Sequence, residues 1–311
     1  MKAIVYDKRS PGEVLNLREV AKPAPGEGQV LVKVVNTSIN AADYRSMSMG
    51  IIPERKIFGA DVAGVVEAAG GNCTRFQVGD AVFGDLAGAG FGGFAEYVAA
   101  PEKLLALKPE GVSFVDAAAV PMAALTALQG LRDLGKIRPG MQVLIYGAGG
   151  GVGTFAVQLA KTFGAQVTAV CGAGSVETVR SLGADSVMDY TKEDPAQSRE
   201  QFDLILGVNG SHPLRVYRRM LKPDGIFVMI GGALSQILTT MVLGPILSLG
   251  RRKMRLLSAK ADADDLAYVI RLVEEGKLKP VIERVYPLNQ TADAVRYLRQ
   301  GHARGKVVIT I

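Results

Sequence analysis

A run of glycines in the middle of the chain has the residue types and spacing of a phosphate-binding turn. Ala148, Gly150 and Gly153 occupy the small-residue positions of an A-x-G-x-x-G pattern, which also contains Gly151 and Val152. The pattern follows the apolar stretch VLIY and opens TFAVQLAKTFG, which is the strand-turn-helix context of a dinucleotide fingerprint. Gly150 would let the backbone approach a pyrophosphate, and Gly153 would let the helix pack closely on the strand. The alternative is a flexible connector.

The segment after this turn indicates which dinucleotide the chain would bind. A site for NAD usually carries an acid at the end of the next strand, where it accepts a hydrogen bond from the ribose 2′-hydroxyl. The predicted strand Gln166 to Cys171 is followed by a loop from Gly172 to Ser175 without an acid, Lys or Arg. We therefore predict NADPH, with a modest preference. Tyr190 ends the following strand and can reach the same phosphate, or it is a half-buried aromatic at a strand end.

The elements around the turn predict two kinds of domain. Residues 1–115 alternate apolar and polar positions in short runs such as QVLVKVV, separated by Gly- and Pro-rich turns, which is typical of a mostly β domain. Residues 116–259 alternate apolar strands with helices, which predicts a parallel, doubly wound Rossmann sheet. An Ala-rich helix from Val115 to Leu134 leads into this region. Ile237 to Leu249 is expected as a helix lining a pocket or a subunit contact.

The last part of the chain contains two predicted amphipathic helices, Asp264 to Glu275 and Thr291 to Gln300, and a closing strand, Lys306 to Ile311. We expect this strand to return to the first domain. The predicted fold class is therefore α/β, with a Rossmann domain inserted in a mostly β catalytic domain. The Rossmann domain would comprise 116–259, and the catalytic domain 1–115 plus 260–311.

The composition is that of a globular protein without a nucleic-acid partner. The chain has 311 residues and 48% hydrophobic content, which is enough for a sizeable core and about two domains. Its net charge is +6, but the 36 Lys and Arg are spread along the chain, apart from a dense run at Arg251 to Arg255. This spread fits a polyanionic cofactor better than nucleic acid. Cys73 and Cys171 lie far apart, so neither a disulfide nor a structural zinc is expected.

No segment is predicted to span a membrane. Ile237 to Leu249 is the most apolar stretch, but it is too short and contains Pro245. Contact of this stretch with a membrane surface, assisted by Arg251 to Arg255, is the weaker hypothesis. Because Met1 to Tyr6 already reads as a strand, no signal peptide is expected and the cytoplasm is predicted.

Stretches along the whole chain form a specific set of motifs. They include PGEGQVLVKVVNTSINAAD, FGADVAGVVEAAG, VGDAVFG, GGFAEYVA, AAAVPMAALTALQGL, SLGADSVMDY and GHARGKVVI. Together with the glycine turn, these motifs resemble the zinc-independent quinone oxidoreductase branch of the medium-chain dehydrogenase/reductase superfamily. The resemblance implies a GroES-like catalytic domain, an NADPH cofactor, a small-molecule substrate and a homodimer paired through the edge of the nucleotide domain.

The resemblance also indicates that no metal is bound. Zinc members of the superfamily use an early Cys and a Gly-His-Glu motif, and the matching positions here are Asn40 and Gly59-Ala60-Asp61. His212 and His302 stand near neither motif, so a catalytic zinc site cannot be assembled. Alcohol oxidation requires stabilisation of an alkoxide, which zinc provides. Hydride addition to a quinone or enone needs only hydrogen-bond donors for the developing oxyanion.

The resemblance implies roles for three residues of the catalytic domain. In related reductases the Asn and Asp of an N-x-x-D motif, here Asn40 and Asp43, lie near the nicotinamide and shape the pocket. Asn40 can alternatively be a turn residue. Several relatives carry a Tyr in the loop that corresponds to Met47 to Pro53, and this loop has none. Tyr44 is the nearest phenol, and it could donate a proton or pack against the β domain.

Three further residues have implied contacts with the cofactor. Thr126 matches a position that approaches the nicotinamide carboxamide, or it is a helix Thr that bonds its own backbone. Arg304 and Lys306 could neutralise cofactor phosphate, or they are surface charges at a turn. His302 is expected to be such a surface residue.

These observations favour an NADPH-dependent, metal-free reductase of quinones, enones or similar electrophiles. A 2-enoyl thioester reductase is the second enzyme hypothesis, weakened by the missing loop tyrosine. A non-catalytic NADPH-binding protein is the third, because the chain lacks an obvious proton donor.

Overall fold

The computed structural model describes residues 1–7, 14–210, 212–232 and 234–311. It confirms the predicted α/β class, with a mostly antiparallel unit and a unit that contains a parallel sheet. The first unit comprises Met1–Leu125 and Lys260–Ile311, and the second comprises Thr126–Ala259.

The helices and strands of the described residues follow in chain order. The strands are β1 (Lys2–Asp7), β2 (Val14–Glu19), β3 (Gln29–Ile39), β4 (Asp61–Ala69), β5 (Ala81–Asp85), β6 (Tyr97–Pro101), β7 (Leu105–Leu107), β8 (Gln142–Tyr146), β9 (Gln166–Cys171), β10 (Ser186–Asp189), β11 (Phe202–Gly207), β12 (Leu221–Met229), β13 (Lys253–Leu256), β14 (Ile282–Pro287) and β15 (Lys306–Thr310). The helices are α1 (Ala41–Met49), α2 (Phe114–Ala119), α3 (Pro121–Gln129), α4 (Gly151–Thr162), α5 (Val176–Ser181), α6 (Leu214–Met220), α7 (Leu234–Leu247), α8 (Ala263–Glu274) and α9 (Thr291–Arg299).

The first unit is organised around β3. The strand order of its larger sheet is β14-β15-β3-β4-β5-β7, β6 also pairs with β3, and β1 and β2 form a separate hairpin. Alternate residues of β3, including Val30, Val32 and Val34, are buried in a core of branched side chains. The closing strand β15 pairs antiparallel with β3, which confirms that the chain returns to its first domain. Helix α2 packs on β3 and β4, so the first unit extends beyond the expected boundary at 115.

The second unit contains six parallel strands in the order β10-β9-β8-β11-β12-β13. This is the doubly wound order in which the chain direction across the sheet reverses between β8 and β11. Ligands of such sheets bind outside the carboxyl ends of the strands at this reversal. The glycine turn follows β8 directly, so the topology places it at the expected binding position.

The Ala-rich helix differs from its prediction. It was expected to run unbroken from Val115 to Leu134, but α2 ends at Ala119 and α3 begins at Pro121, with a π-helical turn over Gly130–Leu134. Proline has no N–H to continue the hydrogen bonds of the preceding helix, so Pro121 begins a new helix. Strands β13 and β14 and helix α6 were not predicted, because each is short and lacks a clear apolar period.

Helix α7 is confirmed in the most apolar stretch. It leaves Met241, Val242 and Ile246 exposed, and Leu249 follows it on the surface. Among the described residues, no helix combines the length and apolar character needed to cross a membrane.

Candidate functional site

The glycine turn of the second unit has the close backbone contacts that a dinucleotide fingerprint requires. Gly147 has a φ of 92°, which favours glycine, and Gly150 caps α4 in an extended conformation. A Cβ on Gly153 would lie 2.2 Å from the Gly147 carbonyl oxygen, so only glycine lets α4 pack here. A Cβ on Gly150 would meet its nearest neighbour at 3.9 Å, which leaves open space beside the helix N-terminus. The turn therefore fits a pyrophosphate.

The loop after β9 lies against this turn. A Cβ on Gly149 would lie 2.5 Å from the Ser175 Oγ, and a Cβ on Gly172 would lie 3.0 Å from the Tyr190 hydroxyl oxygen. The Tyr190 side chain is half exposed. The structure therefore brings together the predicted cofactor residues of the turn, the 172–175 loop and Tyr190.

Lys192 is a cation beside this region that the sequence interpretation missed. Its ammonium lies 3.8 Å from the Asp189 carboxylate, and its side chain is 79% exposed. Asp189 also accepts hydrogen bonds from the backbone N–H and the hydroxyl of Thr191. Lys192 follows Tyr190 by two residues, and the sequence alone could have drawn attention to it.

Polar residues form one row along the edge where four neighbouring strands of the first unit begin or end. Antiparallel pairing of β15 with β3 brings Lys306 against Asn40, which follows β3. Pairing of β3 with β4 sets Ser38 opposite Asp61, and pairing of β4 with β5 sets Asp61 opposite Asp85. We call Lys306, Asn40, Asp61 and Asp85 the polar row.

Hydrogen bonds connect most of the polar row. The Lys306 ammonium donates to Asn40 Oδ1 at 2.7 Å and to Asp61 Oδ2 at 3.2 Å. Asn40 Nδ2 donates to Asp61 Oδ2 at 2.7 Å, and the Ser38 hydroxyl donates to the same oxygen at 2.6 Å. Asp61 Oδ1 accepts from the backbone N–H of Met122 at 2.9 Å. Lys306 is 3% exposed and Asp61 is fully buried, so this ion pair is shielded from water.

Asp43 fixes the start of α1 beside the row. Its carboxylate accepts from the backbone N–H groups of Asn40 at 2.7 Å and of Gly59 and Ala60 at 3.1 Å. Burial raises the pKa of the Asp43 carboxyl to about 7, and the bond from the Asn40 N–H opposes this rise. The side chain therefore connects α1 to the loop before β4.

Asp85 is the outer member of the row. Its Oδ1 accepts from the backbone N–H of Ala87 at 2.9 Å. Burial, and then the negative charge of Asp61, raise the pKa of the Asp85 carboxyl to about 7, whereas Lys306 lowers it. The polar row thus contains one cation, Lys306, beside the carboxylates of Asp61 and Asp85, whose negative charges repel one another.

The residues at the two positions that hold zinc in relatives do not fit that ion. Ala60 offers no ligand atom, and Asn40 and Asp61 supply amide and carboxylate oxygens rather than thiolate and imidazole. The Lys306 ammonium already lies within hydrogen-bond distance of both oxygens. In the part of the chain that the structure describes, no three His, Cys, Asp or Glu residues are grouped to hold a metal.

Three predicted site residues lie outside these two clusters, namely Tyr44, Thr126 and Arg304. Tyr44 packs on the apolar cluster of the first unit, and its ring lies 5.7 Å from the Arg299 guanidinium, which is the packing alternative. Arg304 pairs with Glu283 at 3.4 Å, and His302 is exposed. Thr126 is almost buried within α3. Lys306, expected at a phosphate, has Asn40 and Asp61 as its partners instead.

Comparison with known proteins finds family matches in both units of the chain. The chain matches an alcohol dehydrogenase GroES-like domain over residues 26–110 and a zinc-binding dehydrogenase family over 182–309. It is 34% identical to a chloroplast envelope quinone oxidoreductase homolog of Arabidopsis thaliana, covering 99% of this chain and 98% of that protein. It is also 34% identical to an NADPH-dependent alkenal/one oxidoreductase, chloroplastic, of the same plant, covering 99% and 79%.

A solved structure is similar over the whole fold. The quinone oxidoreductase from Coxiella burnetii superposes with a TM-score of 0.89 and 29% identity, covering 100% of this chain and 99% of that one. The chain thus belongs to the medium-chain dehydrogenase/reductase superfamily and to its quinone oxidoreductase-like branch. It is an oxidoreductase with a nicotinamide cofactor.

The predicted cytoplasmic location is contradicted by these relatives. The two plant proteins that match almost the entire chain are named as chloroplast proteins. The prediction rested on an N-terminal strand at Met1 to Tyr6, which describes the fold of that segment and says little about location.

Our first prediction separates phosphate binding from folding at the glycine turn. Gly150→Val should retain a cooperative melting transition but lose the NADPH-induced rise in melting temperature, because its side chain enters the space left for the pyrophosphate. Gly153→Ala is the matched variant: its Cβ collides with the Gly147 carbonyl, so melting itself should change. Normal NADPH binding by Gly150→Val would show that the turn is only a connector.

Our second prediction concerns the pH dependence of stability. The ordinary pKa of Asp is 3.8, so between about pH 4 and pH 7 the unfolded chain loses a proton that the folded Asp85 retains. The contribution of Asp85 to the free energy of unfolding therefore falls as the pH rises towards 7. Asp85→Asn keeps an oxygen for the Ala87 N–H, and it should melt about 2–4 °C above the parent at pH 8 but not at pH 4. An equal difference at both pH values would contradict the assignment.

Proposed function

We propose that the chain is an NADPH-dependent, metal-free reductase that transfers hydride to quinones, enones or similar electrophilic small molecules. The observation that carries the proposal is the hydrogen bonding of the Asn40 side-chain amide. Asn40 Oδ1 accepts from Lys306 and one N–H of Nδ2 donates to Asp61. The second N–H has no acceptor among the described residues, although Asn40 is only 8% exposed.

This N–H is suited to the oxygen of an electrophilic carbonyl. NADPH, when bound, supplies the hydride. As the hydride adds to the substrate, an electron pair moves to the carbonyl oxygen, and Asn40 Nδ2 would donate a hydrogen bond to the resulting oxyanion. A proton from solvent completes the reduction. A donor fixed in a buried network needs little reorganisation, which makes it effective for this step.

The preference for NADPH is supported by the second unit. The 172–175 loop has no carboxylate to repel a 2′-phosphate. The Tyr190 hydroxyl lies over Gly172, and Lys192 supplies an exposed ammonium two residues further on. Both groups are hydrogen-bond donors that a phosphate can accept from.

Metal-free chemistry is supported by the polar row. A zinc ion bound through Asn40 and Asp61 would have to displace the Lys306 ammonium from both oxygens, and the described residues group no His or Cys there to hold it. A homodimer paired through the edge of the nucleotide domain is the assembly that the family resemblance implies, and it belongs to this proposal.

The proposed activity predicts a specific response to chelation. The purified chain should oxidise NADPH with a panel of quinones and enones, and exhaustive chelation should leave the rate unchanged. Asn40→Ala should lower kcat by roughly a hundred-fold, the cost of one oxyanion donor. Stoichiometric zinc whose removal abolishes activity would contradict the proposal. Turnover confined to enoyl thioesters, or none at all, would favour the other two hypotheses.

The cofactor assignment makes a separate prediction. Tyr190→Phe and Lys192→Ala should each weaken NADPH binding by about ten-fold, equivalent to about 1.4 kcal/mol, because each removes a donor to the 2′-phosphate. NADH lacks this phosphate, so its affinity is the internal control. Fluorescence titration measures both, and equal affinities of the parent for NADPH and NADH would contradict the assignment.

A further inference from the structure

Lys306 is a charged residue in a place where a charge is costly. Its side chain is 3% exposed, and an isolated ammonium in such surroundings loses most of its hydration energy. Asp61 compensates the charge, but a buried ion pair contributes little net stability compared with apolar residues of the same volume. Stability alone therefore does not explain the buried pair of Lys306 and Asp61.

The geometry of the pair determines how the Asn40 amide is oriented. Ammonium groups only donate hydrogen bonds, and ionised carboxylates only accept them. Lys306 must therefore face the oxygen of the Asn40 side chain, and Asp61 must face its nitrogen. The rotated amide would set nitrogen against the ammonium and oxygen against the carboxylate. One orientation is selected, and it leaves one N–H of Nδ2 for a ligand.

The sheet supports this arrangement from three strands. Asn40 follows β3 directly, Lys306 begins β15 on one side, and Asp61 begins β4 on the other. Asp61 is held further by the Ser38 hydroxyl and the Met122 N–H. The groups on either side of the Asn40 amide are thus fixed by backbone pairing as well as by their own bonds.

We propose that Lys306 is a positioning residue that acts through Asn40: it fixes the side-chain amide so that one N–H of Nδ2 is available to the oxyanion of the substrate. The ammonium also polarises the amide, because a hydrogen bond accepted at the oxygen strengthens the N–H groups as donors. This inference rests on the proposed reduction of quinones and enones.

The test compares variants that change the charge with one that removes uncharged contacts to the same strand. Lys306→Met removes the ammonium at similar length. Lys306→Met combined with Asp61→Asn also removes the unpaired carboxylate, so the fold does not have to hold a lone buried charge. Asn36→Ala is the control, because Asn36 is buried on β3 and bonds to β15 through Ile309 and Thr310 without touching the polar row.

We expect both Lys306 variants to lower kcat by roughly ten- to a hundred-fold while the Kd for NADPH is unchanged. Asn36→Ala should lower the melting temperature and leave kcat unchanged. In the Asn40→Ala background, Lys306→Met should have little further effect on kcat, because the group through which it acts is gone.

A second readout does not require activity. In the ¹⁵N-labelled protein without cofactor, the side-chain NH₂ signals of Asn40 should shift and exchange faster in the double variant than in the parent. They should be unchanged in Asn36→Ala.

Three results would overturn the inference. These are a parent-like kcat in both Lys306 variants, fully additive losses with Asn40→Ala, and Asn40 signals that do not respond to loss of Lys306. If the parent reduces no quinone or enone, the proposed function fails instead, and the Asn40 signals still show whether Lys306 orients the amide.

Discussion

The buried contact of Lys306 with Asp61 and Asn40 holds the polar side chains of the first unit in one fixed arrangement. It joins β15, β3 and β4 at their ends, so the last strand of the chain completes the environment of a residue near position 40. The Lys306 ammonium is the cation at the oxygens of Asn40 and Asp61, which stand in the segments that match the zinc motifs of relatives. The same contact orients the Asn40 amide so that, among the described residues, one N–H of Nδ2 has no acceptor, and the proposed chemistry uses this N–H.

The second unit is constrained by close backbone approach at the glycine turn. Gly153 has no room for a side chain and Gly150 has ample room, so the two glycines serve different purposes. The first allows α4 to pack on β8, and the second leaves the helix N-terminus open to an anion. The second unit thus carries the residues of the proposed cofactor site, and the first unit carries the proposed donor to the substrate oxygen.

Local patterns were sufficient to predict five of the six strands of the Rossmann sheet, the glycine turn and α4, because their signals lie within about twenty residues of sequence. The polar row was not predicted, because Lys306 and Asn40 are 266 positions apart and meet only through strand pairing. The sequence predicted Lys306 at a cofactor phosphate or as a surface charge at a turn, since nothing local reveals that it is buried. Asp85 also had no local signal. Pro121 indicates a break between two helices, but the Ala-rich pattern around it favoured the prediction of one continuous helix.

In the proposed reaction, the Asn40 amide, held by Lys306 instead of a metal, receives the substrate oxygen. A crystal structure with oxidised cofactor and a quinone or enone tests it directly. We expect the substrate oxygen to lie about 2.7–3.1 Å from Asn40 Nδ2, with the Lys306 ammonium still bound to Asn40 Oδ1. A metal ion between Asn40 and Asp61, or a substrate oxygen bound elsewhere, would contradict it.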